Sequence, residues 1–128
     1  MNILLDTHIA LWAIGDSPKL PAMARDLILT PTNQLWVSAA SLWEITIKHA
    51  LGRGDMPVSG KQALDYFQQS GYRLLPITAE HTIEVGTLPL HHQDPFDRIL
   101  VAQALSEPLR LLTHDTKVAA YSSTIILV

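Results

Sequence analysis

Short apolar blocks alternate with stretches of helical period along this 128-residue chain. Ile3 to Leu5, Leu35 to Val37, Arg73 to Pro76, Leu109 to Leu112 and Ile125 to Val128 read as strands. Most are continuous apolar runs of the kind buried on both faces of a sheet. Between them the pattern predicts helices. Ser17-Pro18 offers an N-cap and a first-turn proline for a helix running towards Leu29 and stopped by Pro31. Ser38 or Ser41 can cap a helix whose apolar face includes Leu42, Trp43, Ile47 and Leu51, with Gly52 closing it. Ser59 opens another through Ala63, Leu64 and Phe67 to Gly71, and Thr78 a short one through Ile83 and Val85. Asp94-Pro95 starts the clearest, with Phe96, Ile99, Leu100, Ala102, Gln103 and Leu105 at helical spacing and Pro108 beyond the stop. The alternation predicts an α/β fold, helices flanking a mainly parallel central sheet, in one domain spanning residues 1–128.

Composition narrows the setting. The apolar fraction is 48%, but no block approaches the roughly 18 residues of a membrane span, so no membrane role is expected. The segment Met1-Asn2-Ile3-Leu4-Leu5-Asp6 reaches a carboxylate at once and reads as a buried strand, not a signal peptide. With no cysteine, disulfides, thiolate catalysis and thiolate zinc sites are excluded, in keeping with a cytoplasmic location. The net charge of −3 gives no global basic signature for nucleic acid. A phosphate partner would therefore have to be held through bound divalent ions and local cations.

The carboxylates change the picture. Asp6 ends the first strand and Asp115 lies just past the Leu109 to Leu112 strand, at the strand edge where parallel α/β folds bind ligands. Glu44 and Asp97 fall in the first turns of helices that parallel topology brings to that same edge. Each has an ordinary explanation. Asp6 and Asp115 fit turns, Glu44 completes a capping box with Ser41, and Asp94 and Asp97 suit a helix N-terminus. Four anions at one edge nonetheless repel one another, and a divalent cation removes that cost. An all-oxygen donor set favours Mg²⁺ or Mn²⁺, and the natural chemistry is phosphodiester hydrolysis by a metal-activated water.

These segments resemble the PIN domain nucleases, particularly the toxins of bacterial VapBC toxin-antitoxin pairs. The resemblance rests on Leu4-Leu5-Asp6-Thr7-His8, Ser41-Leu42-Trp43-Glu44-Ile45, Asp94-Pro95-Phe96-Asp97-Arg98 before Ala102-Gln103-Ala104, and Leu112-Thr113-His114-Asp115. It covers essentially the whole chain. It implies a PIN-like three-layer sandwich, with Asp6, Glu44, Asp97 and Asp115 as the metal-binding acids and Thr7 and Thr113 as nearby hydroxyls. It further implies an RNA substrate, a homodimer and an antitoxin that covers the site. His8 departs from the small hydroxyl residue many members carry, and Asp94 adds a fifth acid that could cap the helix or support the metal from behind its ligands, with capping favoured because Pro95 follows.

Other residues carry weaker signals. Lys48 follows Glu44 by four, the spacing of a helix-surface ion pair, and is also a candidate to face phosphate. Arg98 is a candidate to hold substrate or an acidic partner. His8 and His114 are candidates to touch RNA phosphate or a carboxylate. His91-His92 lacks the spacing of a histidine metal site. Trp12, Trp36 and Trp43 are expected in the core or an interface, and the Ile9, Leu11, Trp12 and Ile14 segment is a candidate partner surface. Two other functions stay open: a metal-dependent phosphohydrolase or phosphoacceptor domain using Asp6 as nucleophile, and a noncatalytic interaction module.

Overall fold

In the computed structural model, which describes residues 1–128, the first apolar run forms β1 (Asn2–Leu5), the centre of a five-stranded sheet. The chain continues through α1 (Thr7–Ile14), α2 (Ala22–Leu29), β2 (Gln34–Ser38), α3 (Ala39–Ala50), α4 (Gly60–Gln69), β3 (Arg73–Leu75) and α5 (Ala79–Val85). It then forms α6 (Pro95–Ser106), β4 (Arg110–Thr113), α7 (Thr116–Ala119) and β5 (Ile126–Leu127). The order is β3-β2-β1-β4-β5 and every pairing is parallel. Leu5 lies opposite Val37 on one side and Leu112 on the other. The order reverses between β1 and β4, so β1 and β4 flank the switch point at which such sheets open a ligand crevice.

Alternation along β1 sends its side chains into two apolar layers. Ile3 and Leu5 pack with Ile9, Ala24, Val37, Ile45 and Phe67, whereas Leu4 packs with Leu100, Val101, Leu111 and Val118. Helices thus cover both faces, which explains why the strands read as unbroken apolar runs. The architecture is the three-layer α/β sandwich with a parallel sheet that the sequence predicts. No helix is long and apolar enough to cross a membrane.

Caps follow the local chemistry at most helix ends. Ser59 with Gln62 and Thr78 with His81 form capping boxes, and Gly52 and Gly71 take positive φ just past α3 and α4. Gly60 lets α4 approach α3, since a Cβ there would lie 2.0 Å from Thr46 Oγ1.

Several expectations need correction. The helix expected from Ser17-Pro18 starts at Ala22 instead, with extended Pro21 as its N-cap. Ser17 Oγ accepts the Lys19 N–H in a local turn. Pro21 has no N–H to donate and its ring would crowd the carbonyl four residues back, so a helix cannot run through it. The segment offered as a partner surface is α1, which buries Ile9 and Leu11 in the core. Ser38, not Ser41, caps α3, accepting the Ala40 N–H, so Glu44 belongs to no capping box. Trp12 and Trp36 pack half-buried against the core as expected, whereas Trp43 is 59% exposed against Phe96.

Candidate active site

The carboxyl edge of β1 and β4 opens into a pocket of about 550 Å³ lined by Asp6, Glu44, Lys48, Asp94, Asp97 and Asp115, together with His8, Trp12, His92, His114 and Thr116. The four acids singled out from sequence come together here from four segments. Asp6 is the N-cap of α1: Oδ1 accepts the Ile9 N–H at 2.9 Å and Oδ2 accepts the Thr113 hydroxyl at 2.6 Å. Thr113 Oγ1 also accepts the Asp115 N–H at 3.0 Å. One hydroxyl at the end of β4 therefore sets the positions of two acids. Asp115 caps α7 through the Lys117 N–H.

Glu44 reaches the pocket because α3 buries an unexpected face. Ala40, Ser41, Glu44 and Ile45 are inside, while Trp43 and Leu51 are exposed. Thr7 Oγ1 donates to Ser41 Oγ at 2.9 Å, pinning the start of α1 to α3. Glu44 is 3% exposed; its Oε2 accepts from Lys48 Nζ at 2.5 Å, and its Oε1 is buried with no hydrogen-bond partner. Burial opposes the Lys48 charge, but the Glu44 hydrogen bond and charge outweigh it, with help from Asp94 and Asp55, and hold the ammonium above the usual lysine range. The pair fits the helix spacing but not the surface setting first assigned to it.

Asp94 caps α6, its Oδ1 accepting the N–H groups of Phe96 and Asp97. Asp97 sits one turn in, and loss of hydration pushes its carboxyl up to about 7, aided by the charges of Asp94, Asp6 and Glu44. Burial also raises Asp6, against the opposing hydrogen bonds from Thr113 and Ile9. For Asp115 burial acts upward too, but the Lys117 N–H and His92 outweigh it and hold the carboxyl low. The site thus carries more negative charge than its cations balance.

His92 is the residue that sequence reasoning missed. Its Nε2 lies 3.0 Å from Asp115 Oδ2 and 3.2 Å from Asp97 Oδ2. These three groups lie close enough together to share an ion. The other ring nitrogen decides the role, because the Asp94 N–H donates to Nδ1 at 3.0 Å. The proton then resides on Nε2, which donates to the carboxylates and is not free to ligate a metal while Asp94 holds the ring. The available sequence signal was its place two residues before the Asp94 cap. Arg98 goes the other way. Its guanidinium donates to the carbonyls of Val85, Leu88, Pro89 and His92 and to the Tyr121 hydroxyl, tying the loop before α6. It is absent from the pocket lining. His8 lines the pocket and pairs with Asp55 at 3.5 Å.

The donor set fits a hard divalent cation. It is oxygen-rich, its charge excess favours a cation, and the orphaned Glu44 Oε1 is a buried acceptor without a partner.

Comparisons with known proteins place the chain and its fold. Ribonuclease VapC22 of Mycobacterium tuberculosis is 27% identical over 123 residues, covering 94% of this chain and 92% of that protein. The fold resembles that of VapBC2 from Rickettsia felis, solved bound to a DNA fragment from their promoter. The TM-score is 0.72 at 21% identity, covering 100% of this chain and 98% of that one. VapBC of Salmonella typhimurium, also DNA bound, gives 0.68 at 15% identity, covering 100% and 97%. The PIN domain profile matches residues 3–123, and the chain therefore belongs to the PIN domain family.

Proposed function

We propose that this chain is a cytoplasmic endoribonuclease dependent on Mg²⁺ or Mn²⁺, the toxin of a toxin-antitoxin pair, acting as a homodimer. The observation that carries the reading is the convergence of Asp6, Glu44, Asp97 and Asp115 on one pocket at the sheet's switch point. The similarity to a ribonuclease over nearly the whole chain supports the activity, and the VapBC complexes of like fold support an antitoxin partner.

Asp6, Asp97, Asp115 and Glu44 would hold the ion. When bound, it would supply an acidified water for attack on phosphorus and neutralise charge on the phosphoryl oxygens. The protein's own groups prepare that chemistry. Thr113 fixes Asp6 and Asp115 relative to one another, the His92 Nε2–H draws Asp115 and Asp97 together, and Lys48 balances one charge on Glu44. Asp6 is a poor phosphoacceptor by comparison, since both of its oxygens already accept hydrogen bonds and the residue is 8% exposed.

The test is cleavage of RNA by the purified chain with Mg²⁺ or Mn²⁺. Asp6→Asn and Asp97→Asn should each abolish it while thermal unfolding shows a folded protein. Cleavage surviving in both variants overturns the reading. A covalent phosphoenzyme formed from a small phosphodonor would point instead to Asp6 as nucleophile. Expression of the chain alone should arrest growth, with relief by a small neighbouring gene product.

A further inference from the structure

Trp12 is the one apolar side chain lining the acidic pocket. It lies on α1, the helix that Asp6 caps, one turn beyond His8, so these two side chains share a helix face. Six residues of helix place Trp12 about 9 Å along the axis from Asp6. Its indole is flanked by two imidazoles, His8 and His114, each with its ring centroid 6.0 Å away. It also packs against the core, which makes it a firm support. His8 and Trp12 in turn line a second cavity of about 510 Å³, whose other walls include Ser17, Lys19, Asp55 and the backbone of Gly15 and Gly54. The acidic pocket and this groove therefore meet at Trp12.

We propose that Trp12 is a stacking platform for an unpaired nucleobase next to the phosphate held at the carboxylates, and that the adjoining groove carries the neighbouring nucleotide. The inference rests on the nuclease reading of the carboxylate pocket and adds how the substrate is gripped beside the phosphate, through one unstacked base. A base inside a duplex has both faces covered by its neighbours, so only an unstacked one can lie on an indole. An aromatic face accepts any base, and a lone lysine beside it suits a phosphate. The surroundings favour a base over a protein anchor. Apart from Trp12 and Leu11 the groove offers polar side chains, proline and glycine backbone, which match a base edge or a ribose better than an apolar side chain.

The test titrates the full chain with an unstructured RNA in Ca²⁺, reading binding by a fluorescent label and by tryptophan emission, and then measures KM and kcat with Mg²⁺. Trp12→Leu should weaken binding and raise KM about 10- to 100-fold. Trp12→Phe should keep most of the binding but lose the RNA-dependent quenching that wild type shows. Gly54→Leu should weaken binding without lowering thermal stability, because a Cβ at Gly54 meets nothing within 4 Å and the added side chain fills the groove. If Trp12→Leu does not fold, Gly54→Leu and an abasic scan of the RNA decide the matter. Unchanged KM in these variants, quenching that persists in Trp12→Phe, or a duplex bound as tightly as the single strand overturns the proposal. Any of those results beside normal cleavage by wild type leaves the nuclease reading intact. Binding with quenching but no cleavage under any divalent ion removes the nuclease reading and leaves the platform. Loss of antitoxin binding with RNA binding intact would assign Trp12 to a protein partner and also overturns the proposal.

Discussion

The molecule contains two inward-facing polar clusters, and they are built on opposite principles. One joins α3, α5 and α6 away from the pocket. Ser38 Oγ donates to Gln103 Oε1 at 2.6 Å, and Gln103 Nε2 donates to the Pro76 carbonyl at 3.2 Å and lies 3.3 Å from His81 Nδ1. His81 Nδ1 also accepts the Thr78 N–H, and its Nε2 meets Glu107 Oε1 at 2.9 Å. In the carboxylate pocket, by contrast, acids crowd one another, Asp97 is pushed up to about 7 and Glu44 Oε1 has no partner. A satisfied network fixes how helices pack. An unsatisfied one with an excess of negative charge costs stability, and the chain retains it where the fold opens a pocket.

The largest effect that separates the two clusters should come from Asp97→Asn. It removes a proposed metal ligand whose role would be electrostatic, so RNA cleavage should fall by at least about 10³-fold. The metal-free protein should be no less stable than wild type in urea. A parallel loss of stability would place Asp97 with the satisfied cluster.

The next effect is on pH dependence. The folded value of Asp97 lies above its ordinary 3.8, so the fold gains stability from its proton below that value. The gain is lost as pH rises towards about 7. Asp6 is raised as well and acts in the same sense. Urea unfolding of metal-free protein should show stability falling between these limits by up to roughly 4 kcal/mol. Saturating Mn²⁺ should reverse the fall, and Asp97→Asn should flatten it. A metal-free profile that rises over this range would show that the pocket is not frustrated.

Gln103→Ala should act on the other cluster alone. It leaves the fully buried Ser38 hydroxyl without its acceptor, at a cost of about 2–3 kcal/mol in urea unfolding. Cleavage per folded molecule should stay near wild type. His92→Ala is expected to have the smallest effect of the four, weakening Mn²⁺ binding by about 10- to 100-fold in calorimetry, as loss of a group orienting metal ligands does. His92→Gln, which keeps an N–H donor, should recover part of it. Tighter Mn²⁺ binding in His92→Ala would mean that the imidazole competes with the ion.

The strands and most of the helices were legible because their signals are local. Asp94-Pro95 marks the start of α6, Ser59 and Thr78 carry their caps, and the apolar runs show burial on both faces. The helix α1 escaped because its eight residues are apolar on most sides, which erases the amphipathic period, and Asp6, its cap, reads as a metal ligand instead. On α3 the apolar residues misled. Trp43 and Leu51 read as a buried face, yet the helix turns Ser41 and Glu44 inward, and Ser41 there meets Thr7 of α1. Arg98 looked like a substrate ligand because its carbonyl partners belong to a loop with no recognisable pattern of its own.

The sequence by itself determined the parallel α/β class and put acids at the end of β1, just past β4 and in the helices α3 and α6, since strand burial, caps and chain order are encoded within a few residues. Only the tertiary structure decided how those acids are tuned. Thr113 lies 107 positions from the Asp6 it holds, and His92 lies 23 from Asp115. Trp12 meets the pocket because α1 starts beside the end of β4. Such contacts are set by the register of the sheet and by which helix face the core accepts. Those are properties of the whole packing and leave no periodic trace in the chain.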